Sequence, residues 1–141
     1  MTPVRALQTV LAGEHAAVYL YGVLGGQVSR SEHPRLAALV SSSYATHIAR
    51  RDALDALLVA HHATPVASAS AYRLPADVDT PDGARALARR IEGRCLQLYG
   101  QAVESTSAAD RTWAIAALRG AALDVLEYGA RPTDFPGMTW S

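Results

Sequence analysis

Two glutamates, a histidine, two arginines and three tyrosines carry the chemistry this chain could do. Glu14 and Glu92 each open a similar segment, Glu14-His-Ala-Ala-Val-Tyr-Leu-Tyr-Gly22 and Glu92-Gly-Arg-Cys-Leu-Gln-Leu-Tyr-Gly100. Tyr21 and Tyr99 therefore follow their carboxylates two helical turns later, on the same face. A second pair, Arg50-Arg-Asp-Ala-Leu-Asp-Ala-Leu57 and Arg119-Gly-Ala-Ala-Leu-Asp-Val-Leu126, places Arg50 and Arg119 in matching positions. His47 precedes Arg50 by one turn, and Tyr44 precedes His47 by another.

Such a set suits two kinds of interior. Bundles that hold a pair of iron or manganese ions use one Glu from each of two helices and a Glu-x-x-His pair from each of the other two. Hard divalent ions favour carboxylate oxygen supplemented by imidazole, and residues three apart share a helix face. Glu14 and Glu92 answer to the single carboxylates. Of the paired motifs, Tyr44-Ala-Thr-His47 keeps only the histidine, and Trp113-Ala-Ile-Ala116, its partner by the repeat alignment, keeps neither residue. Guanidinium is never deprotonated in proteins, so Arg50 and Arg119 would bring permanent positive charge to where cations sit. The favoured reading is therefore a neutral polar core in which Arg50 and Arg119 satisfy Glu14 and Glu92 through forked hydrogen bonds. It needs neither metal nor another cofactor, and it gives the chain no catalytic residue. One alternative is an iron- or manganese-dependent oxidoreductase on Glu14, His47 and Glu92, with Tyr44 as a phenolate ligand or radical site. A second alternative is a small anionic molecule held by Arg50 or Arg119 among Tyr21, Tyr44 and Tyr99.

The elements that must position these residues are helices. Four segments, near 2–28, 33–62, 80–105 and 107–130, have helix-forming composition and 3.6-residue periodicity, and almost nothing reads as a strand. Thr2-Pro3 and Thr80-Pro81-Asp82 mark two starts by a capping hydroxyl and a proline at the first helical position, and Ser107-Ala-Ala-Asp110 marks a third. In the first helix Val4, Leu7, Leu11, Glu14, Val18, Tyr21, Gly25 and Val28 follow heptad spacing, which points Glu14 at the core. Short links join helices one to two and three to four, so each pair forms an antiparallel hairpin. Residues 63–79, with Pro65 and Pro75, separate the hairpins. Extended at about 3.3 Å per residue, that stretch reaches roughly 50 Å, enough to run the length of a helix of about 37 Å. The expected fold is all-α: one ferritin-like four-helix domain, two antiparallel hairpins joined by one long crossover, followed by a tail over 131–141. Phe135 and Trp140 in that tail are expected to dock on the bundle or on a second subunit.

Composition narrows the rest. The chain has 141 residues, half of them hydrophobic, with 13 basic residues balancing 13 acidic ones. Zero net charge argues against a general nucleic-acid binder. No run approaches the roughly 18 apolar residues of a membrane helix, the N-terminus lacks the order of a secretory signal, and Cys95 is the single cysteine. A cytoplasmic protein is expected, assembled as a homodimer, with an unknown small molecule or protein as a further partner. His15 is read as a helix-flank or oligomer-contact residue, His61 and His62 as helix-end residues, and Cys95 as a small core residue.

The helix 14–22, the run His47-Ile-Ala-Arg-Arg-Asp-Ala-Leu54, the crossover ending Tyr72-Arg-Leu-Pro75 and the tail Phe135-Pro-Gly137 resemble an uncharacterised ferritin-like domain family of GC-rich bacteria. The resemblance covers nearly the whole chain and implies the four-helix ferritin-like fold. It implies no activity. All 13 basic residues being arginine, and the abundance of alanine, agree with a GC-rich coding genome.

Overall fold

The computed structural model describes residues 1–138, so Trp140 and the end of the tail lie outside the described residues. Four helices account for the described secondary structure: α1 (Pro3–Gln27), α2 (Pro34–Ala60), α3 (Pro81–Ser105) and α4 (Ala108–Glu127). Three begin with proline in the first turn, where its missing N–H costs nothing. Thr2 caps α1 by accepting from the Arg5 N–H, and Thr80 caps α3 by accepting from the Gly83 N–H at 3.0 Å. The fourth start departs from its sequence signature. Ser107 makes no side-chain cap, and Asp110 instead takes the His61 imidazole at 2.6 Å, tying the end of α2 to the first turn of α4. At the other end of α4, Gly129 adopts φ +90°, which lets the Gly129 and Ala130 N–H groups close back onto Leu126 and Val125.

α1 packs on α2 and on α3, α4 packs on α3, and α2 meets α4 only lightly. Side-chain contacts give the directions. Glu14 reaches Tyr99 while Tyr21 reaches Glu92, so α1 and α3 are antiparallel. Ser43 with Tyr128, Arg50 with Asp124 and His61 with Asp110 make α2 and α4 antiparallel too. These four pairs are therefore antiparallel while α2 and α3 run parallel, which the crossover makes possible by carrying the chain along the bundle between them. Its route follows α1: Gln8 donates to Thr64 O and accepts from Val66 N, His15 contacts Val66 O at 2.8 Å, and Tyr72 packs on Tyr19. The apolar core comprises Leu7, Leu11 and Leu24 of α1, Leu54 and Leu58 of α2, Leu87 and Ile91 of α3, and small residues of α4.

The burial pattern corrects the repeat alignment for the second and fourth helices. Leu36, Val40, Ser43, His47 and Leu54 are buried, and so, 74 positions further on in each case, are Asp110, Ala114, Ala117, Ala121 and Tyr128. The residue match of Arg50 with Arg119 is five positions out of this register. Arg50 corresponds to Asp124, and Tyr44 and His47 correspond to Leu118 and Ala121 instead of Trp113 and Ala116. For the first and third helices the alignment stands: Glu14 and Glu92 are both buried, as are Tyr21 and Tyr99.

Candidate functional site

The heptad seam that carries Glu14 inward and its copy on α3 meet at mid-bundle, and α2 supplies His47 between them. Glu14, His47, Glu92, Tyr21 and Tyr99 are all fully enclosed. The imidazole bridges the carboxylates: Nδ1 lies 2.6 Å from Glu14 Oε2 and Nε2 lies 2.9 Å from Glu92 Oε1. Each carboxylate also accepts from a tyrosine on the opposite helix. Tyr21 donates to Glu92 Oε1 at 2.6 Å, and Tyr99 donates to Glu14 Oε1. These two bonds are one contact made twice, because the repeat sets each Tyr seven residues after its Glu on antiparallel neighbours. The Tyr21 ring stacks on His47 at 5.3 Å, and Ser43 and Tyr128 share a hydrogen bond at 2.7 Å beside it.

His47 offsets one of the two carboxylate charges, and the Arg50 guanidinium lies in the field of both. Burial lowers the affinity of His47 for a proton, but hydrogen bonds to Glu14 and Glu92 and their field more than reverse this, raising its pKa to about 9. An imidazolium between two carboxylates is the outcome at neutral pH. Burial, reinforced by Glu92, raises the Tyr21 phenol far above its ordinary range; burial and its charged neighbours do the same for Tyr99. Both tyrosines therefore stay protonated and act as donors. Cys95 lies one turn after Glu92 and is raised by the same causes, which keeps it an unreactive thiol.

The expected arginine pairing is not what the structure has. Arg50 donates to the Tyr99 hydroxyl at 3.3 Å, lies over its ring, and faces Asp124 at 3.8 Å, so it touches Glu14 only through Tyr99. Gly120 makes room for it: a Cβ there would stand 2.6 Å from Arg50 Nη2. Arg119, one residue earlier, is exposed on the outer face of α4. The reflection of Glu92 through the α3–α4 turn falls on residues 119 and 120, and the helical phase selects Gly120. Tyr44 is likewise displaced, being 39% exposed at the α1–α2 seam. The expected pocket of Tyr21, Tyr44 and Tyr99 with an arginine is not assembled; Tyr21 and Tyr44 share a cavity of about 290 Å³ that includes neither Tyr99 nor Arg50. Ser43, Tyr128, Asp124 and Cys95 join the cluster without having been singled out for it. The three-residue step from Glu92 to Cys95 was the available signal for the last.

A dinuclear carboxylate site does not fit this donor set. At the heights where α2 and α4 would each supply a Glu and a His, α2 offers Tyr44, which faces outward, and His47, while α4 offers Leu118 and Ala121. Both nitrogens of His47 are already held by carboxylates. For a single ion the nearest grouping is Glu14, His47 and Cys95, with one ligand atom from each within 4.8 Å of the others. Glu92 Oε2 is buried beside them with no hydrogen-bond partner among the described residues.

Bundle, repeat and closed polar centre define a class of small all-α domains. The chain belongs to the family described as domain of unknown function DUF4439, whose model matches residues 6–140. A solved structure, that of a conserved hypothetical protein, rv2844, from Mycobacterium tuberculosis, is 31% identical, with 89% of this chain and 93% of that one covered and a TM-score of 0.81. No curated protein matches. No described helix is long and apolar enough to cross a membrane.

Proposed function

We propose that this chain is a ferritin-like bundle that works as a non-catalytic binding module, its interior held by charge pairing instead of a di-iron centre. The connectivity supports the ferritin-like assignment: two antiparallel hairpins, one long crossover, and a carboxylate from each of α1 and α3 at mid-bundle. The observation that carries the reading is His47. Its imidazolium spans Glu14 and Glu92 where bundles of this connectivity place cations, and it brings one positive charge and one hydrogen bond to each carboxylate. The cluster is closed to solvent, so no substrate reaches it without rearrangement, and recognition falls to the surface. Homodimerisation is part of the proposal. Ile115, Leu123 and Leu126 of α4 are exposed apolar residues suited to a second copy, and sedimentation at micromolar concentration would read one species of twice the chain mass.

One observation favours a second reading, a metal-dependent oxidoreductase: the Glu14, His47 and Cys95 grouping beside the unpartnered Glu92 Oε2. Elemental analysis of protein purified without chelator or affinity metal, followed by aerobic addition of ferrous iron, separates the two. Substoichiometric metal and iron oxidation no faster than in buffer support the binding module. Near-stoichiometric metal that is lost in Glu14→Ala, or rapid protein-dependent oxidation, would replace it with the oxidoreductase.

A further inference from the structure

The crossover does more than connect the hairpins. Where it passes α3 it encloses, with α1, a groove of about 740 Å³, within the range of small-molecule sites. Three arginines line it: Arg73 from the crossover, and Arg90 and Arg94 one turn apart on α3. All three are exposed, and no acidic residue lines the groove. None of the three has an ion-pair or hydrogen-bond partner among the described residues, although neighbouring arginines do: Arg89 donates to Tyr128 O and Arg85 to Asp82. In a chain of zero net charge, three unpaired guanidiniums in one concavity form a local positive excess that attracts an anion. Leu20 and Ile91 give the groove an apolar wall, and the Gln97 amide adds a neutral donor and acceptor.

We infer that this groove binds a soluble organic phosphate monoester, its dianionic head held by Arg73, Arg90 and Arg94 and its apolar body laid against Leu20 and Ile91. Phosphate fits because guanidinium presents parallel N–H pairs matching two phosphate oxygens, and three such forks exceed what one carboxylate can accept. Arginines on two separate elements place the head between α3 and the crossover, so binding also fastens the crossover to the bundle. The inference rests on the reading of the chain as a binding module; the metal analysis decides that reading, and the titration below decides the groove.

The test is a calorimetric and NMR titration of the full chain with hexyl phosphate, inorganic phosphate and hexanol at low salt. Hexyl phosphate should bind saturably, at least about tenfold tighter than inorganic phosphate, with shifts at Leu20 and Ile91, while hexanol should not saturate. Arg90→Gln combined with Arg94→Gln should weaken hexyl phosphate at least about tenfold and leave the melting temperature of the free protein unchanged, since both side chains are exposed. Arg73→Gln alone should weaken it several-fold. Absence of saturable binding, equal affinity for inorganic phosphate, or affinity unaffected by the arginine substitutions would overturn the inference.

Discussion

His47 is where the chemistry of single residues is most exposed to test. Two carboxylates from different helices depend on one ring, and removing it leaves them buried together without the positive charge between them. His47→Ala should therefore destabilise the fold by about 3–5 kcal/mol, the range for breaking a buried ion pair from one side, measured by urea unfolding at pH 7. Arg50 and Arg119 give a contrast. Arg50 loses a hydrogen bond, a cation–π contact and its approach to Asp124 when truncated, so Arg50→Ala should cost about 1–3 kcal/mol. Arg119→Ala, on the surface, should stay within about 0.5 kcal/mol. Equal effects of the two substitutions would contradict the placement of both. The sequence displayed Glu14, Glu92, Tyr21 and Tyr99 clearly, because an inward carboxylate on a heptad seam has few alternatives. It displayed the counter-ion poorly: guanidinium and imidazolium can each pair with a carboxylate, and His47 and Arg50, three residues apart, share a face of α2.

At the scale of elements, the repeat is a device for pairing helices. Because α1 and α3 run antiparallel, a Glu and a Tyr seven residues apart on each generate two equivalent bonds across the seam. The other two helices share a burial pattern but have diverged in content: α2 brings Ser43, His47 and Arg50, and α4 brings Ala117, Ala121 and Asp124 in the corresponding places. This divergence is why residue matching misaligned them, since Ala-Leu-Asp recurs easily in alanine-rich helices while the buried polar positions differ. The small side chains of α4 leave the space that Arg50 enters at Gly120. Gly120→Leu should expel the guanidinium and destabilise by about 1–3 kcal/mol, as overpacking does, whereas Gly120→Ala should cost less if Arg50 shifts aside; denaturation midpoints of the two variants read the difference. Helix limits were legible to within a few residues from prolines and caps. The seating of the crossover was not, because it depends on side chains such as Gln8 and His15 whose roles carry no local pattern.

For the whole molecule, the bundle's stability is tied to a proton. His47 titrates near 6.5 in an unfolded chain and near 9 in the fold, so the folded state binds that proton more tightly. The contribution is fully present below about pH 6.5 and is lost as pH rises through 9, on the order of 3 kcal/mol in total. Unfolding midpoints should therefore fall between pH 7 and pH 8 in the wild-type chain, below the range in which the Cys95 thiol ionises in an unfolded chain, and that fall should be absent from His47→Ala. The fold class was readable from four periodic segments and unequal links, since one long crossover between hairpins leaves few ways to pack four helices. The state of the centre was not readable, because it depends on how charges balance once water is excluded. The most direct measurement of that state is a nitrogen-15 NMR titration of the His47 ring in protein whose metal content has been determined. Protonation of both Nδ1 and Nε2 through pH 8, with loss of a proton near pH 9, is the predicted result. A ring carrying one proton at pH 7, or a nitrogen resonance moved by a bound metal, would contradict the account.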